Sequence, residues 1–275
     1  TFTQLYRPEL LPSSLTQMWS LCTEVAFYVL LPLLCWLLTW RPGRRGHTLH
    51  LPTVLGWSAA FFALGVAWQA AAAQIPGNEG HYAQWLPGYL PWFVVGIVFS
   101  AVSASLTLHP RDHVLDRMGS DLVGCWIAAT AVFALAATPI AGPRTLLTPE
   151  GWEAGPKVVL YAVASGLYLL PLVFGPERDG WVRRQLSGPV LFWLGEISYG
   201  IFAIHMIVLN LVFHLLDLDY FTGRYLAVAA LTFAITIPLA TASFYLLERP
   251  ILRFKNAAFV ARRETEAPQE DAAAR

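Results

Sequence analysis

Residues 20–40 read SLCTEVAFYVLLPLLCWLLTW, 21 positions in a row with one charged side chain, Glu24. A helix that crosses the roughly 30 Å hydrocarbon core of a bilayer needs about 20 mostly apolar residues, so this stretch reads as a membrane span. Lipid offers no partner to an unpaired backbone N–H or C=O, and the span is therefore helical. Outward from it, six more stretches reach the same length: about 53–73, 85–106, 122–141, 156–175, 190–216 and 224–247. The expected fold class is an all-α polytopic membrane protein, a bundle of seven transmembrane helices. Pro32, Pro91, Pro139, Pro171 and Pro238 fall inside spans, where kinks are expected and neighbouring helices satisfy the freed carbonyls.

Composition supports this. Of 275 residues, 56% are hydrophobic and 13% charged, with a mean hydropathy of +0.51. A soluble domain carries roughly 25% charged residues. The deficit excludes a soluble enzyme, a disordered tail, a collagen-like repeat and a nucleic-acid binder. Lys+Arg and Asp+Glu stand at 18 each, so no net basic charge points to polyanionic partners. Cys22, Cys35 and Cys125 all lie in apolar blocks and read as buried free thiols.

Charge between the spans alternates. Arg41, Arg44, Arg45, Arg111, Arg117, Arg178, Arg183, Arg184, Arg249, Arg253, Lys255, Arg262, Arg263 and Arg275 fall on one side, 14 of the 18 basic residues. Only Arg7, Arg144, Lys157 and Arg224 fall on the other. The positive-inside rule puts the rich side in the cytoplasm, with residue 1 extracytoplasmic and the C-terminus cytoplasmic. Residue 1 is Thr, and residues 1–18 show no signal-peptide pattern. The simplest account is a piece with an odd number of spans missing upstream; a cleaved signal peptide is the alternative. The membrane domain is expected over 1–255, with a mobile cytoplasmic tail over 256–275.

Ionisable side chains inside spans are costly, roughly 2.5–3.5 kcal/mol at the bilayer centre, and each is a functional hypothesis. Glu24 lies about one turn inside the outer face. His205 lies 15 residues into a span rising from the cytoplasm, or roughly 22 Å at 1.5 Å per residue, a depth similar to that of Glu24. Ser20, Glu24 and Tyr28 are spaced by four and form one polar stripe; Ser198 and His205, seven apart, share a face. A Glu and a His in the same half of the membrane suit a structural lock, a proton relay in a transporter, or acid–base catalysis. Trp19, Trp40, Trp85, Trp92, Trp152 and Trp181, at span ends, read as interfacial anchors.

Three stretches, in order, resemble the acyltransferase-3 family of integral membrane O-acyltransferases. Trp19-Ser20-Leu21-Cys22-Thr23-Glu24-Val25-Ala26-Phe27-Tyr28 resembles its W-S-L-x-x-E-x-x-F-Y signature. Leu194-Gly195-Glu196-Ile197-Ser198-Tyr199-Gly200-Ile201-Phe202-Ala203-Ile204-His205 resembles its L-G-x-I-S-Y-x-x-Y-x-x-H element. Tyr245-Leu246-Leu247-Glu248-Arg249-Pro250 resembles its closing Y-x-x-E-R-P element. The family's Arg-x10-His helix is absent from this chain, Gln17 stands where many members have His, and Glu196 where many have Arg or Lys.

The resemblance implies the last seven of ten spans of an enzyme that moves an acetyl or related acyl group. The donor would be a cytoplasmic acyl-CoA such as acetyl-CoA, a co-substrate, with no bound cofactor and no metal. The acceptor would be an extracytoplasmic hydroxyl on a cell-surface sugar or lipid, and the setting the plasma membrane, with the bilayer itself as partner. Glu24 and His205 are the expected catalytic pair, supported by Trp19, Ser20, Tyr28, Ser198 and Tyr199. Arg249 and Arg253 would meet donor phosphates at the cytoplasmic rim, with Glu248 orienting Arg249. Lacking the catalytic His, this piece alone is expected to be inactive. The rival is a proton-coupled transporter or flippase of a lipid or sugar, against which the lack of inverted internal repeats counts. A non-catalytic scaffold is the third possibility.

Overall fold

The computed structural model describes residues 17–39, 49–75, 81–108, 114–141, 153–175, 180–218 and 223–253. Among them there are helices and turns and no strand. The helices are α1 (Trp19–Thr39), α2 (Leu51–Ala72), α3 (Leu86–Leu108), α4 (Val114–Ser120), α5 (Leu122–Ala136), α6 (Ala154–Val173), α7 (Gly180–Leu186), α8 (Pro189–Leu215) and α9 (Tyr225–Ser243). Among the described residues, six helical stretches are long and apolar enough to cross a membrane, or seven if the bent pair α4–α5 counts as one. Arg41, Arg44, Arg45, Arg111, Arg178, Trp40, Trp152 and the tail 256–275 lie outside the described residues. The chain divides into two compact units, Thr1–Leu11 with Met18–Asp179, and Pro12–Gln17 with Gly180–Arg275.

In the first unit, α2 and α3 pack antiparallel, because Val54 meets Ala101 at one end while Gln69 reaches Gly88 at the other. Gly65 makes that approach possible: a Cβ there would stand 2.4 Å from the Pro91 ring. Small residues matter at such crossings because lipid is as apolar as a helix face, leaving close packing and hydrogen bonds to hold helices together. Gln69 Nε2 donates to Ala83 O (3.0 Å) and Gly88 O (3.1 Å), tying α2 to the turn that starts α3. The second antiparallel seam joins α5 and α6. Thr130 donates its one hydroxyl proton to Trp126 O (2.7 Å), so the Tyr168 hydroxyl, 2.8 Å away, donates to Thr130. Trp126 Nε1 donates to Tyr168 O at 3.2 Å.

The span expected at 122–141 is shorter and broken. Asp121 caps α5, its Oδ1 accepting from Gly124 N at 2.9 Å, and this cap divides α4 from α5 at a bend of 93°. At the other end α5 stops at Ala136, and Pro139 begins a separate 3₁₀ turn instead of continuing the helix. Apolar composition alone does not register these two breaks. Pro32, Pro91, Pro171 and Pro238 do lie inside continuous helices.

The second unit is built on α8 and α9, antiparallel, with Gly200 against Ala240 and Val208 and Val212 against Val228. Buried Val228, Thr232, Thr236, Ala240 and Phe244 recur every four residues along α9 and form its inner stripe. The helix does not end at 247 as expected. It passes through a π turn at Phe244–Glu248 and runs on to Arg253, so Arg249 and Arg253 are helical residues rather than loop residues.

Candidate functional site

One face of α1 is fixed by its neighbours. Trp19 lies 5.7 Å from Tyr89 between ring centroids, Thr23 Oγ1 donates to Gln84 O at 2.8 Å, and Phe27 stacks on Phe93 at 3.9 Å. Ser20, Glu24 and Tyr28 each follow one of these by one residue, and so lie about 100° round the helix, flanking the packed seam. Tyr28 Oη donates to Glu24 Oε1 at 2.7 Å, closing the four-residue spacing of the polar stripe. Glu24 and Ser20 are half-buried. Among the described residues Glu24 Oε2 has no hydrogen-bond partner, which leaves one carboxylate oxygen to accept from a ligand.

His205 is held by its own helix. Nδ1 stands 2.7 Å from Phe202 O and 3.1 Å from Ile201 O. A carbonyl only accepts, so Nδ1 carries a proton, and in the neutral form of the ring Nε2 is the nitrogen with the lone pair. Among the described residues Nε2 has no hydrogen-bond partner. The same turn is gripped from outside by Gln17, whose Nε2 donates to Ala203 O (3.2 Å) and Phe202 O (3.4 Å). This long-range contact has no local sequence signal beyond the family position of Gln17. Ser198 donates to Gly195 O at 2.7 Å, and Tyr199 is exposed; among the described residues neither hydrogen-bonds His205. Glu24 belongs to the first unit and His205 to the second.

The third cluster surrounds the π turn. Arg249 Cζ lies 5.2 Å from the centre of the Tyr245 ring, a cation–π contact. Glu248 does not orient Arg249 as expected; its Oε1 accepts from Ser243 Oγ at 3.4 Å, and among the described residues Arg249 has no ion pair. Arg253 is exposed one turn further on.

A largely apolar cavity of about 510 Å³ runs along α1 in the first unit, lined among others by Phe27, Leu31, Cys35, Leu38, Phe93 and Ile97. Cys22 and Cys125 are buried thiols that donate to the Met18 and Met118 carbonyls, but Cys35 is exposed, on the wall of this cavity. Among the described residues no three His, Cys, Asp or Glu side chains gather as metal ligands would.

Long apolar helices with a carboxylate and an imidazole seated within them define a multi-pass membrane protein that carries polar chemistry inside its spans. A family model described as "Acyltransferase domain" matches residues 2–245, most of the chain. The chain belongs to that acyltransferase family. The match takes in the Trp19–Tyr28 and Leu194–His205 elements whole and ends at Tyr245, before Glu248, Arg249 and Pro250. No curated protein and no solved structure gives a match.

Proposed function

We propose that the protein is a plasma-membrane O-acyltransferase that moves an acetyl or related acyl group from a cytoplasmic acyl-CoA to an extracytoplasmic hydroxyl, on a cell-surface sugar or lipid. What supports this beyond family membership is the half-buried Glu24 carboxylate, with one oxygen held by Tyr28 and the other open. In such a transfer the acceptor hydroxyl loses its proton to a base as its oxygen attacks the acyl carbonyl carbon. The carbon–sulfur bond then breaks and CoA leaves as the thiol. Glu24 Oε2 orients the hydroxyl and draws on its proton, while Tyr28 fixes the carboxylate rotamer. His205 offers Nε2 as a second acceptor along the acyl path. Arg249 and Arg253 meet the donor's phosphates, where planar guanidinium forks suit phosphate oxygens.

The test is transfer of label from acetyl-CoA to envelope glycan in membranes that hold the full-length gene product. Glu24→Gln should lower turnover by about 100-fold or more, the scale of a lost acid–base group, with the folded protein recovered at normal yield. Undiminished transfer in that variant would remove Glu24 from the mechanism.

A further inference from the structure

The last helix changes its winding at one place. The N–H of Arg249 bonds to Phe244 O, five residues back, where an α-helix would use Tyr245 O. Pro250 gives the physical reason. It has no N–H to donate, and its ring crowds the carbonyl four residues before it, that of Leu246. Widening the turn by one residue relieves the clash, and a π turn of this kind is in effect one residue inserted into the helix. Each residue of an α-helix advances the chain by about 100°, so everything beyond the turn is rotated by about that angle from the face an unbroken helix would give it.

One side-chain contact follows. Ser243 and Glu248, five apart, stand about 140° from each other round an α-helix and do not meet; across the π turn they lie 3.4 Å apart. Glu248 is thus occupied by Ser243, while the guanidinium of Arg249 lies over Tyr245 at 5.2 Å and forms no ion pair among the described residues. Had the carboxylate next in sequence closed on Arg249, the positive charge would be neutralised within the chain.

We infer that Pro250 is a positioning residue for donor binding: by holding the π turn it parks Glu248 on Ser243 and leaves Arg249, seated on Tyr245, to bind the phosphate of an acyl thioester donor. This rests on the donor role proposed above for Arg249. The backbone of this turn serves to keep an acid away from its neighbouring base.

The experiment measures KM for acetyl-CoA and kcat at saturating donor in membranes holding equal amounts of the folded full-length gene product. Arg249→Ala should raise donor KM about 10- to 100-fold, as expected for a lost charge-assisted hydrogen bond. Pro250→Ala should raise donor KM about tenfold with kcat at saturation retained, and adding Glu248→Gln to it should bring donor KM back, since the neutral amide no longer competes for Arg249. A purely structural role for Pro250 predicts no such rescue. Ser243→Ala frees Glu248 without altering the backbone, and should raise donor KM in the same rescuable way even where Pro250→Ala fails to fold. If Arg249→Ala leaves donor KM unchanged, the donor role of Arg249 fails. If Arg249→Ala raises it while Pro250→Ala and Ser243→Ala do not, or do so without rescue, the donor role stands and the positioning role of Pro250 is overturned.

Discussion

His205 uses its two ring nitrogens for different purposes. Nδ1–H is committed to Phe202 O, which leaves Nε2 as the nitrogen that can accept in the proposed transfer when the ring is neutral. Asparagine places its amide nitrogen near the position of Nδ1, and glutamine near that of Nε2. His205→Asn should therefore keep the backbone contact and normal thermal stability while losing acyl transfer about 100-fold, the lower range of a lost acid–base group. His205→Gln should lose about 1 kcal/mol of stability with the hydrogen bond to Phe202 O. Thermal unfolding and labelled transfer, measured on both variants, check this; full transfer in His205→Asn would exclude Nε2 from the chemistry. At this scale the sequence was partly readable. The Glu24–Tyr28 bond could be read from a spacing of four, because helix geometry alone dictates it. Gln17 on the Phe202 and Ala203 carbonyls could not, because 185 or more positions separate the partners and no periodicity links them.

Helices are the scale at which the sequence is most readable, since lipid forces any long apolar run to satisfy its own backbone. The failures came where one residue outweighs the average of its window. Asp121 cuts an apolar run by capping, Pro139 ends α5, and Pro250 extends α9 by changing its winding rather than stopping it. Contacts across a seam are likewise invisible to composition. Gly56 and Gly65 both lie in α2 and look alike in the sequence, yet a Cβ at Gly56 meets nothing within 4 Å while one at Gly65 runs into Pro91 and the Pro87 carbonyl. Gly65→Ala should cost about 3 kcal/mol, at the upper end for overpacking because a proline ring and a backbone oxygen yield little. Gly56→Ala should gain up to about 1 kcal/mol from helix propensity. Thermal unfolding in detergent of the two variants side by side checks both signs.

For the molecule as a whole, the charge asymmetry fixes an expected orientation that the proposed reaction depends on, because donor and acceptor lie on opposite faces. In a background with Cys22, Cys35 and Cys125 replaced by Ala, Gln74→Cys should react with a membrane-impermeant maleimide in intact cells. Ser120→Cys should react only after the membrane is opened. Both residues sit at helix ends, Gln74 just beyond α2 and Ser120 closing α4. The reverse labelling pattern would overturn the orientation expected from the charge asymmetry and, with it, the proposed division of donor and acceptor.

The shortness of α5 has a consequence for the bilayer around it. Its 15 residues rise only about 22 Å, against a hydrocarbon core of roughly 30 Å. The bent arm α4 leaves the helix at 93° and adds little height. The lipid alongside must therefore thin, or the polar ends of α5 be drawn inward, at a cost of fractions of a kcal/mol for each ångström of mismatch. The hydrogen bonds among Trp126, Thr130 and Tyr168 bind this short helix to the longer α6, so the pair carries the mismatch together. Lipids of longer chain length should strain this hairpin before the longer described helices, and a membrane of modest thickness is the one in which it sits at rest.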